Sequence, residues 1–173
     1  MTNGLLMINT GHGKGKTTAA LGLALRAAGH GHRVCFIQFI KGSWKYGELE
    51  AIKRFGDLID FKVMGRGFTW KSEDLEKDKA VAREAWDLAK AAILSGGYHL
   101  VVLDEFTYVM NFGMVEPDAV LEVLRSKPPA LHVLITGRDA PAALVAAADL
   151  VTEMQPVKHP FAQGVKAQKG VEF

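Results

Sequence analysis

Short apolar runs alternate along the chain with longer segments in which apolar residues return every three or four positions. Apolar runs bounded by turn residues are typical of buried strands, and the wider spacing is typical of helices. Strands are therefore predicted at residues 5–9, 33–40, 60–64, 99–104, 131–136 and 150–154. Helices are predicted at residues 16–28, 47–55, 72–94, 117–125 and 141–147, and the tail from residue 155 has no clear period.

The order strand, helix, strand repeats along the chain, which favours an α/β fold with a parallel sheet and helices on both faces. The strand at residues 99–104, HLVVLD, is apolar almost throughout, as expected when both faces of the sheet are covered. We predict a three-layer fold with a mostly parallel central sheet, forming one domain over residues 1–173. In such a sheet, ligands bind at the carboxyl ends of the strands.

Composition narrows the class of protein. The 173 residues, of which 49% are hydrophobic, suit one globular domain. A net charge of +2, from 21 basic and 19 acidic residues, is too small to indicate a nucleic-acid or membrane partner. The single cysteine, Cys35, lies in an apolar run, which predicts a buried thiol and a reducing compartment. With no signal segment and no apolar run near the ~20 residues that span a bilayer, we expect a cytoplasmic protein.

A glycine-rich loop, TGHGKGKTT, joins the first predicted strand to the first predicted helix. Glycines let backbone N–H groups approach a phosphate, and the positive end of the helix dipole favours its charge. Lys16 is expected to contact phosphate oxygens, and the Thr17 hydroxyl to join a magnesium shell. The usual pattern has glycine where Thr10 stands, so Gly11 and Gly13 are expected to supply the flexibility instead. The candidate nucleotide-binding residues are Gly11, His12, Gly13, Lys14, Gly15, Lys16, Thr17 and Thr18.

The apolar strand at residues 99–104 ends in two carboxylates, Asp104 and Glu105. Oxygen ligands in this position suit Mg²⁺, and Mn²⁺ is an alternative, so the candidate metal residues are Thr17, Asp104 and Glu105. Glu105 is either a metal ligand or, in a hydrolase, the group that positions an attacking water. The loop and the acidic strand together predict a P-loop NTPase (RecA-like) fold that binds a magnesium–nucleotide.

Further segments narrow the choice among P-loop proteins. They are QFIKG at residues 38–42, GFTW at 67–70, LDEFTY at 103–108, KHPF at 158–161 and GVKAQKG at 164–170. Together with the glycine-rich loop and its additional Lys14, in this order, they resemble the ATP:corrinoid adenosyltransferases. The resemblance runs from about Leu5 to the C-terminus.

The resemblance implies transfer of the 5′-deoxyadenosyl group of ATP to the cobalt of reduced cob(I)alamin or another corrinoid, with release of triphosphate. Lys14 and Lys16 suit a highly charged leaving group. Arg26 matches an arginine that the family uses near the nucleotide; the alternative is a solvated helix arginine. The family also implies a homodimer. Because the chain has no flavin or iron–sulfur motif, the electron is expected from an external donor such as a flavoprotein reductase.

The resemblance assigns Phe68 and Trp70 to the corrinoid. In the family these positions press on the lower face of the corrin, displace the lower axial ligand and make cobalt(II) easier to reduce. Axial ligation is an established control on the potential of a tetrapyrrole metal. The alternative is that both are ordinary core aromatics. The candidate catalytic residues are therefore Phe68, Trp70 and Lys16.

Two departures from the family pattern carry expectations of their own. His12 stands where asparagine is expected; histidine can donate the same hydrogen bond but is expected to alter the nucleotide preference or the pH response. The chain begins almost directly at the first strand, where some relatives have an extension that covers the corrinoid. We therefore expect a site that is more open or is closed by the tail, whose Lys158, Lys166 and Lys169 are alternatively a solvated basic end.

Three other functions share the fold and the nucleotide motifs. The first is a RecA-like ATPase that acts on nucleic acid. The near-neutral net charge and the lack of a basic stripe interleaved with aromatic residues argue against it. A small-molecule P-loop kinase is opposed by the lack of an arginine-rich lid segment. A nucleotide-dependent binding module without catalysis is the third.

Overall fold

The computed structural model describes residues 3–40, 46–65 and 75–172. Its strands are β1 (Leu6–Thr10), β2 (Val34–Gln38), β3 (Ile59–Val63), β4 (Leu100–Asp104), β5 (His132–Thr136) and β6 (Leu150–Glu153). Its helices are α1 (Lys16–Gly29), α2 (Gly47–Ile52), α3 (Leu75–Leu94), α4 (Phe106–Asn111), α5 (Pro117–Arg125) and α6 (Ala142–Ala147). Short 3₁₀ helices occupy Lys53–Phe55 and Pro160–Gln163.

The six strands form one sheet in the order β3-β2-β4-β5-β1-β6, and every pairing among the described strands is parallel. This confirms the predicted α/β fold with a parallel central sheet. The strand before the glycine-rich loop and the acidic strand are separated by β5 alone. Because all carboxyl ends meet at one edge, the ends of β1, β2, β4 and β5 lie side by side there.

Each face of the sheet carries its own apolar core, which confirms the three layers. Side chains alternate between the faces along a strand, so Cys35 and Ile37 enter one core while Val34 and Phe36 enter the other. The first core packs the sheet against α3, α4 and α5, and includes a Trp86–Phe106 stack with ring centroids 5.3 Å apart. The second core packs it against α1 through alanines at helical spacing: Ala20, Ala24 and Ala28.

The sequence predictions match these elements closely, apart from the ends of elements and one helix. The strand predicted at 33–40 ends at Gln38, and the described part of the helix predicted at 72–94 begins at Leu75, since residues 72–74 lie outside the described ranges. Helix α4 was not predicted, because it has only six residues and begins directly after the acidic end of β4 without a capping residue. Cys35 is buried as predicted, and burial raises the pKa of its thiol to about 12.

The length and the apolar character of the helices bear on whether any of them could span a bilayer. Within the described ranges, none is both long enough and apolar enough to span a membrane.

Candidate active site

Three neighbouring strands end in a polar residue on the same face of the sheet. Gln38, Asp104 and Thr136 close β2, β4 and β5, and all three are fully buried. Side chains alternate between the two faces along each strand, and each of these residues follows a side chain of the second core by two positions. All three therefore lie on the face that α1 covers. Gln38 and Asp104 are partners in register, and Leu103 pairs with Ile135, which brings Thr136 beside Asp104.

Asp104 is the centre of a hydrogen-bond network that joins these strands to α1. Its Oδ1 accepts hydrogen bonds from the Thr17 hydroxyl at 3.0 Å and from the Thr136 hydroxyl at 2.7 Å. Its Oδ2 accepts one from Gln38 Nε2 at 3.1 Å. A buried carboxylate requires such donors, because charge removed from water is costly without them. The network therefore fixes Asp104 next to the first turn of α1.

The glycine-rich loop passes close to the end of β6. The Gly13 N–H donates to the Met154 carbonyl at 2.7 Å. A Cβ at Gly11 would lie 2.5 Å from that carbonyl oxygen, and one at Gly13 would lie 2.7 Å from it. Gly11 also has φ +93°, a conformation that L side chains rarely adopt. Gly11 therefore supplies the conformational freedom expected of it, whereas Gly13 is required by the close packing.

Lys16 extends back into the loop that precedes it. Its Nζ donates to the Gly11 carbonyl at 2.7 Å and to the Gly13 carbonyl at 2.8 Å, and only 8% of the residue is exposed. Burial lowers the pKa of the ammonium; Glu105 most strongly opposes the shift, and Arg138 adds to it. A phosphate oxygen in the loop would offer this ammonium a full negative charge in place of neutral carbonyls.

The first turn of α1 has the features of an anion site. Gly15 precedes the helix with φ +124°, no side chain among the described residues caps the helix, and its first turn has no acidic residue. The exposed N–H groups and the helix dipole favour a phosphate at such an end. Thr17 and Thr18 lie in this turn, so the structure brings both predicted threonines to the loop.

Glu105 lies directly beyond Asp104, in a left-handed backbone conformation with φ 64°. Its N–H donates to the Thr136 hydroxyl at 3.0 Å, so the same threonine supports both acidic residues. Non-glycine residues adopt this conformation seldom, and it ends β4 sharply before α4 begins.

The oxygen atoms at this position fit a hard cation such as Mg²⁺. Thr17 and Asp104 approach within 3.0 Å of each other, and Glu105 follows in the chain. Among the described residues no cluster of three or more histidine, cysteine, aspartate or glutamate side chains could hold a metal ion. Magnesium fits that arrangement, because it takes one or two carboxylates and completes its shell with water and substrate phosphates.

Two ionic contacts connect the loop with other segments. His12 Nε2 lies 2.9 Å from Asp139 Oδ1, in the loop after β5, and both side chains are more than half exposed. Lys14 Nζ lies 3.9 Å from Glu172 Oε1, which brings the tail to the loop. The first contact is exposed and the second is partly exposed, so both stabilise the fold little.

Of the remaining predicted residues that the structure describes, Arg26 is not brought to the loop. Arg26 is exposed in the last turn of α1, about 15 Å along the helix axis from Lys16 at 1.5 Å per residue. Phe68 and Trp70 lie outside the described residues. Gln38 and Thr136 were not predicted as partners of Asp104, although each is a polar residue that closes an apolar strand.

Comparison with known proteins gives matches over nearly the whole chain. The family profile described as ATP:corrinoid adenosyltransferase BtuR/CobO/CobP matches residues 2–173. A corrinoid adenosyltransferase of Pseudomonas aeruginosa is 45% identical over 170 residues, covering 98% of this chain and 84% of the relative. The corrinoid adenosyltransferase of Escherichia coli K12 is 42% identical over 170 residues, covering 98% and 86%. That of Salmonella typhimurium is 41% identical over 170 residues, with the same coverage.

Among solved structures, the chain is similar to the flagellar accessory protein FlaH from Methanocaldococcus jannaschii. The TM-score is 0.57 at 12% sequence identity, and the match covers 88% of this chain and 72% of that chain. At this identity the likeness concerns the fold alone. It agrees with the parallel sheet and flanking helices described above.

Proposed function

Because the chain belongs to the ATP:corrinoid adenosyltransferase family, which its match over residues 2–173 shows, we propose that it adenosylates a reduced corrinoid. The cobalt(I) electron pair attacks the 5′ carbon of ATP and forms a cobalt–carbon bond. The bond between that carbon and the 5′ oxygen breaks, and its electron pair leaves with triphosphate. The family match carries this proposal, and the geometry of the loop supports it.

The glycine-rich loop supplies the fixed positive groups that a triphosphate leaving group requires. Triphosphate gains charge as the carbon–oxygen bond breaks, and fixed positive groups aimed at it lower the barrier. We assign that role to Lys16, to Lys14 and to the free N–H groups at the start of α1. The partly desolvated ammonium of Lys16 interacts more strongly with a phosphate than it would in water, since the local dielectric is lower.

Thr17 and Asp104 are proposed to hold Mg²⁺ against the phosphates, with Glu105 in the same shell or next to it. The cation, when bound, neutralises part of the charge on the triphosphate. The Thr17 hydroxyl donates a 3.0 Å hydrogen bond to Asp104 Oδ1, which keeps these two oxygen atoms next to each other beside the loop. Gly11, His12, Gly13, Gly15 and Thr18 are proposed to complete the nucleotide site, and Arg26 remains a candidate contact.

Phe68 and Trp70 are proposed to contact the corrin and to displace its lower axial ligand. Removing a donor from cobalt(II) lowers the energy of the orbital that accepts the electron, which eases reduction to cobalt(I). The electron is proposed to come from an external donor such as a flavoprotein reductase. We further propose a single domain over residues 1–173, a homodimer and a cytoplasmic location.

The test is anaerobic mixing of the protein with ATP, Mg²⁺ and chemically reduced cob(I)alamin. We expect the absorbance of a light-sensitive alkylcobalamin to appear together with one equivalent of triphosphate. Cobinamide in a parallel reaction tests a second corrinoid. Binding of ATP without either product would overturn the proposal. ADP release stimulated by nucleic acid, or γ-phosphate transfer to a small acceptor, would then point to the RecA-like or kinase alternative.

A further inference from the structure

Gln38 is a fully buried polar residue at the end of β2, beside the candidate metal site. Its backbone is in register with Asp104, and its side-chain Nε2 donates to Asp104 Oδ2 at 3.1 Å. The other atom of the same amide, Oε1, is buried and has no hydrogen-bond partner among the described residues. A buried carbonyl without a donor is costly, and native proteins satisfy nearly all such groups.

The orientation of this amide is set by its neighbour. An ionised carboxylate only accepts hydrogen bonds, so the NH₂ end of Gln38 must face Asp104. Rotating the amide by half a turn would place its oxygen against Asp104 Oδ2 and would lose the hydrogen bond. Oε1 is therefore presented as an acceptor close to Asp104, and it cannot satisfy itself by flipping.

We propose that Gln38 is a positioning residue of the magnesium–triphosphate site. Its Nε2 holds Oδ2 of Asp104 in place, and its Oε1 accepts a hydrogen bond from a water molecule of the bound cation. Magnesium keeps several water ligands in proteins, and each is a strong donor. This inference rests on the proposed function, because it requires the cation to bind at Thr17 and Asp104.

An alternative role is purely structural, in which Gln38 only pairs with Asp104 during folding. A role of that kind explains the Nε2 contact but leaves the buried Oε1 without a donor among the described residues. The two roles differ in what they predict for metal affinity. Groups that orient the ligands or waters of a metal typically change its affinity by about 10- to 100-fold when they are removed, whereas a purely structural residue changes stability alone.

The experiment measures binding of Mn²⁺ to the complex of the full chain with ATP, followed by electron paramagnetic resonance. Gln38→Met keeps the length and the burial of the side chain and removes both polar atoms. Gln38→Asn keeps the amide but withdraws it by one methylene, and it serves if the methionine variant does not fold. Cys35→Ala is the matched control, since it alters a buried side chain on the same strand but on the opposite face.

We expect both Gln38 variants to weaken Mn²⁺ binding by about 10- to 100-fold. Binding of ATP in EDTA should stay within twofold of the wild type, and Cys35→Ala should change neither quantity. Unchanged Mn²⁺ affinity in the Gln38 variants would overturn the inference. Equal loss of metal-free ATP binding would also overturn it, by placing Gln38 in the nucleotide site generally. A wild type that binds Mn²⁺ and ATP but transfers no adenosyl group would contradict the proposed function and not this inference.

Discussion

At the scale of single residues, Lys16 combines a buried position with two hydrogen bonds to the loop. Only 8% of the residue is exposed, yet its ammonium donates to two loop carbonyls, which hold it where phosphates are proposed to bind. Burial lowers the pKa of this group, which fits a lysine that awaits an anionic partner. The charge of a bound phosphate would offset that burial, so nucleotide binding should favour the protonated lysine.

Replacing Lys16 with alanine should weaken ATP binding by about 10- to 100-fold, because hydrogen bonds to charged groups contribute about 1.5–3 kcal/mol. Isothermal titration calorimetry measures the change directly. Lys90→Ala is the matched control, since Lys90 is paired with Asp87 on α3 and lies in no proposed site. Equal ATP affinity in the two variants would remove Lys16 from the nucleotide site.

Trp70→Ala should impair reduction of bound cobalt(II) while leaving ATP affinity and folding stability almost unchanged. The reason is that the indole is proposed to act on the axial ligation of cobalt and not on the core. The readouts are the cobalt(II) spectrum with ATP present, the rate of reduction, and the unfolding midpoint.

Trp86→Ala is the control that shows what the loss of a core tryptophan does, so that a specific effect of Trp70→Ala can be recognised. Trp86 is buried and stacks on Phe106, so its loss should destabilise the fold by about 3–5 kcal/mol and reduce every activity together. If Trp70→Ala behaves in the same way, Trp70 is an ordinary core aromatic and its proposed role is wrong.

At the scale of elements, the close approach between the loop and the end of β6 should tolerate no side chain. Gly11→Ala would place a Cβ 2.5 Å from the Met154 carbonyl oxygen, in a conformation with φ +93°. We expect a destabilisation of about 1–3 kcal/mol and a loss of ATP affinity, measured by chemical denaturation and calorimetry.

Gly22→Ala provides the opposite case within the neighbouring helix. Gly22 lies in α1, where an added Cβ would meet nothing within 4 Å. Alanine there should stabilise the protein by about 0.4–1 kcal/mol, because the unfolded chain loses freedom and helix propensity rises. Destabilisation by Gly22→Ala, or none by Gly11→Ala, would contradict the described packing of α1 and its loop.

Most elements could be predicted because the sheet is covered on both faces, so each buried strand is a recognisable apolar run. Helix α4 could not, because it begins at Phe106 immediately after the left-handed Glu105 and lacks a capping signal. The loop and the acidic pair were predictable from local motifs. The contacts of Gln38 and Thr136 with Asp104 depend on strand order and register, which the sequence alone does not specify. The positions of Phe68 and Trp70 stay predictions.

At the scale of the whole molecule, the two ends of the sheet carry different chemistry. The carboxyl ends hold the acidic pair and the glycine-rich loop, while the amino ends hold histidines that contact backbone groups. The His132 Nδ1 accepts from the Leu5 N–H at 3.1 Å, where β5 begins. Burial lowers the pKa of His132, and the charges of Lys127 and His32 lower it further. Part of the pH dependence of folding stability should therefore arise at the amino edge, away from the candidate site.

Folding stability should fall as pH decreases from about 6.5 towards 5. A histidine whose pKa is lower in the folded state binds fewer protons there than in the unfolded state, so acid favours unfolding. Its contribution is fully present above the unfolded pKa and is lost as pH falls through the folded one. Thermal unfolding from pH 5 to pH 8 measures this, and His132→Gln should reduce the slope. Identical slopes in both proteins would refute the role of His132.

The central claim is that the 5′ carbon of ATP moves to cobalt, and isotope labelling tests it most directly. ATP labelled with ¹³C at the 5′ position is mixed anaerobically with Mg²⁺, cob(I)alamin and the protein, and the products are followed by NMR. We expect the ¹³C resonance to move to the position of a cobalt-bound carbon and to be lost on illumination. One triphosphate should form for each corrinoid that is adenosylated. A label that stays in adenosine nucleotides while ADP accumulates would contradict the account.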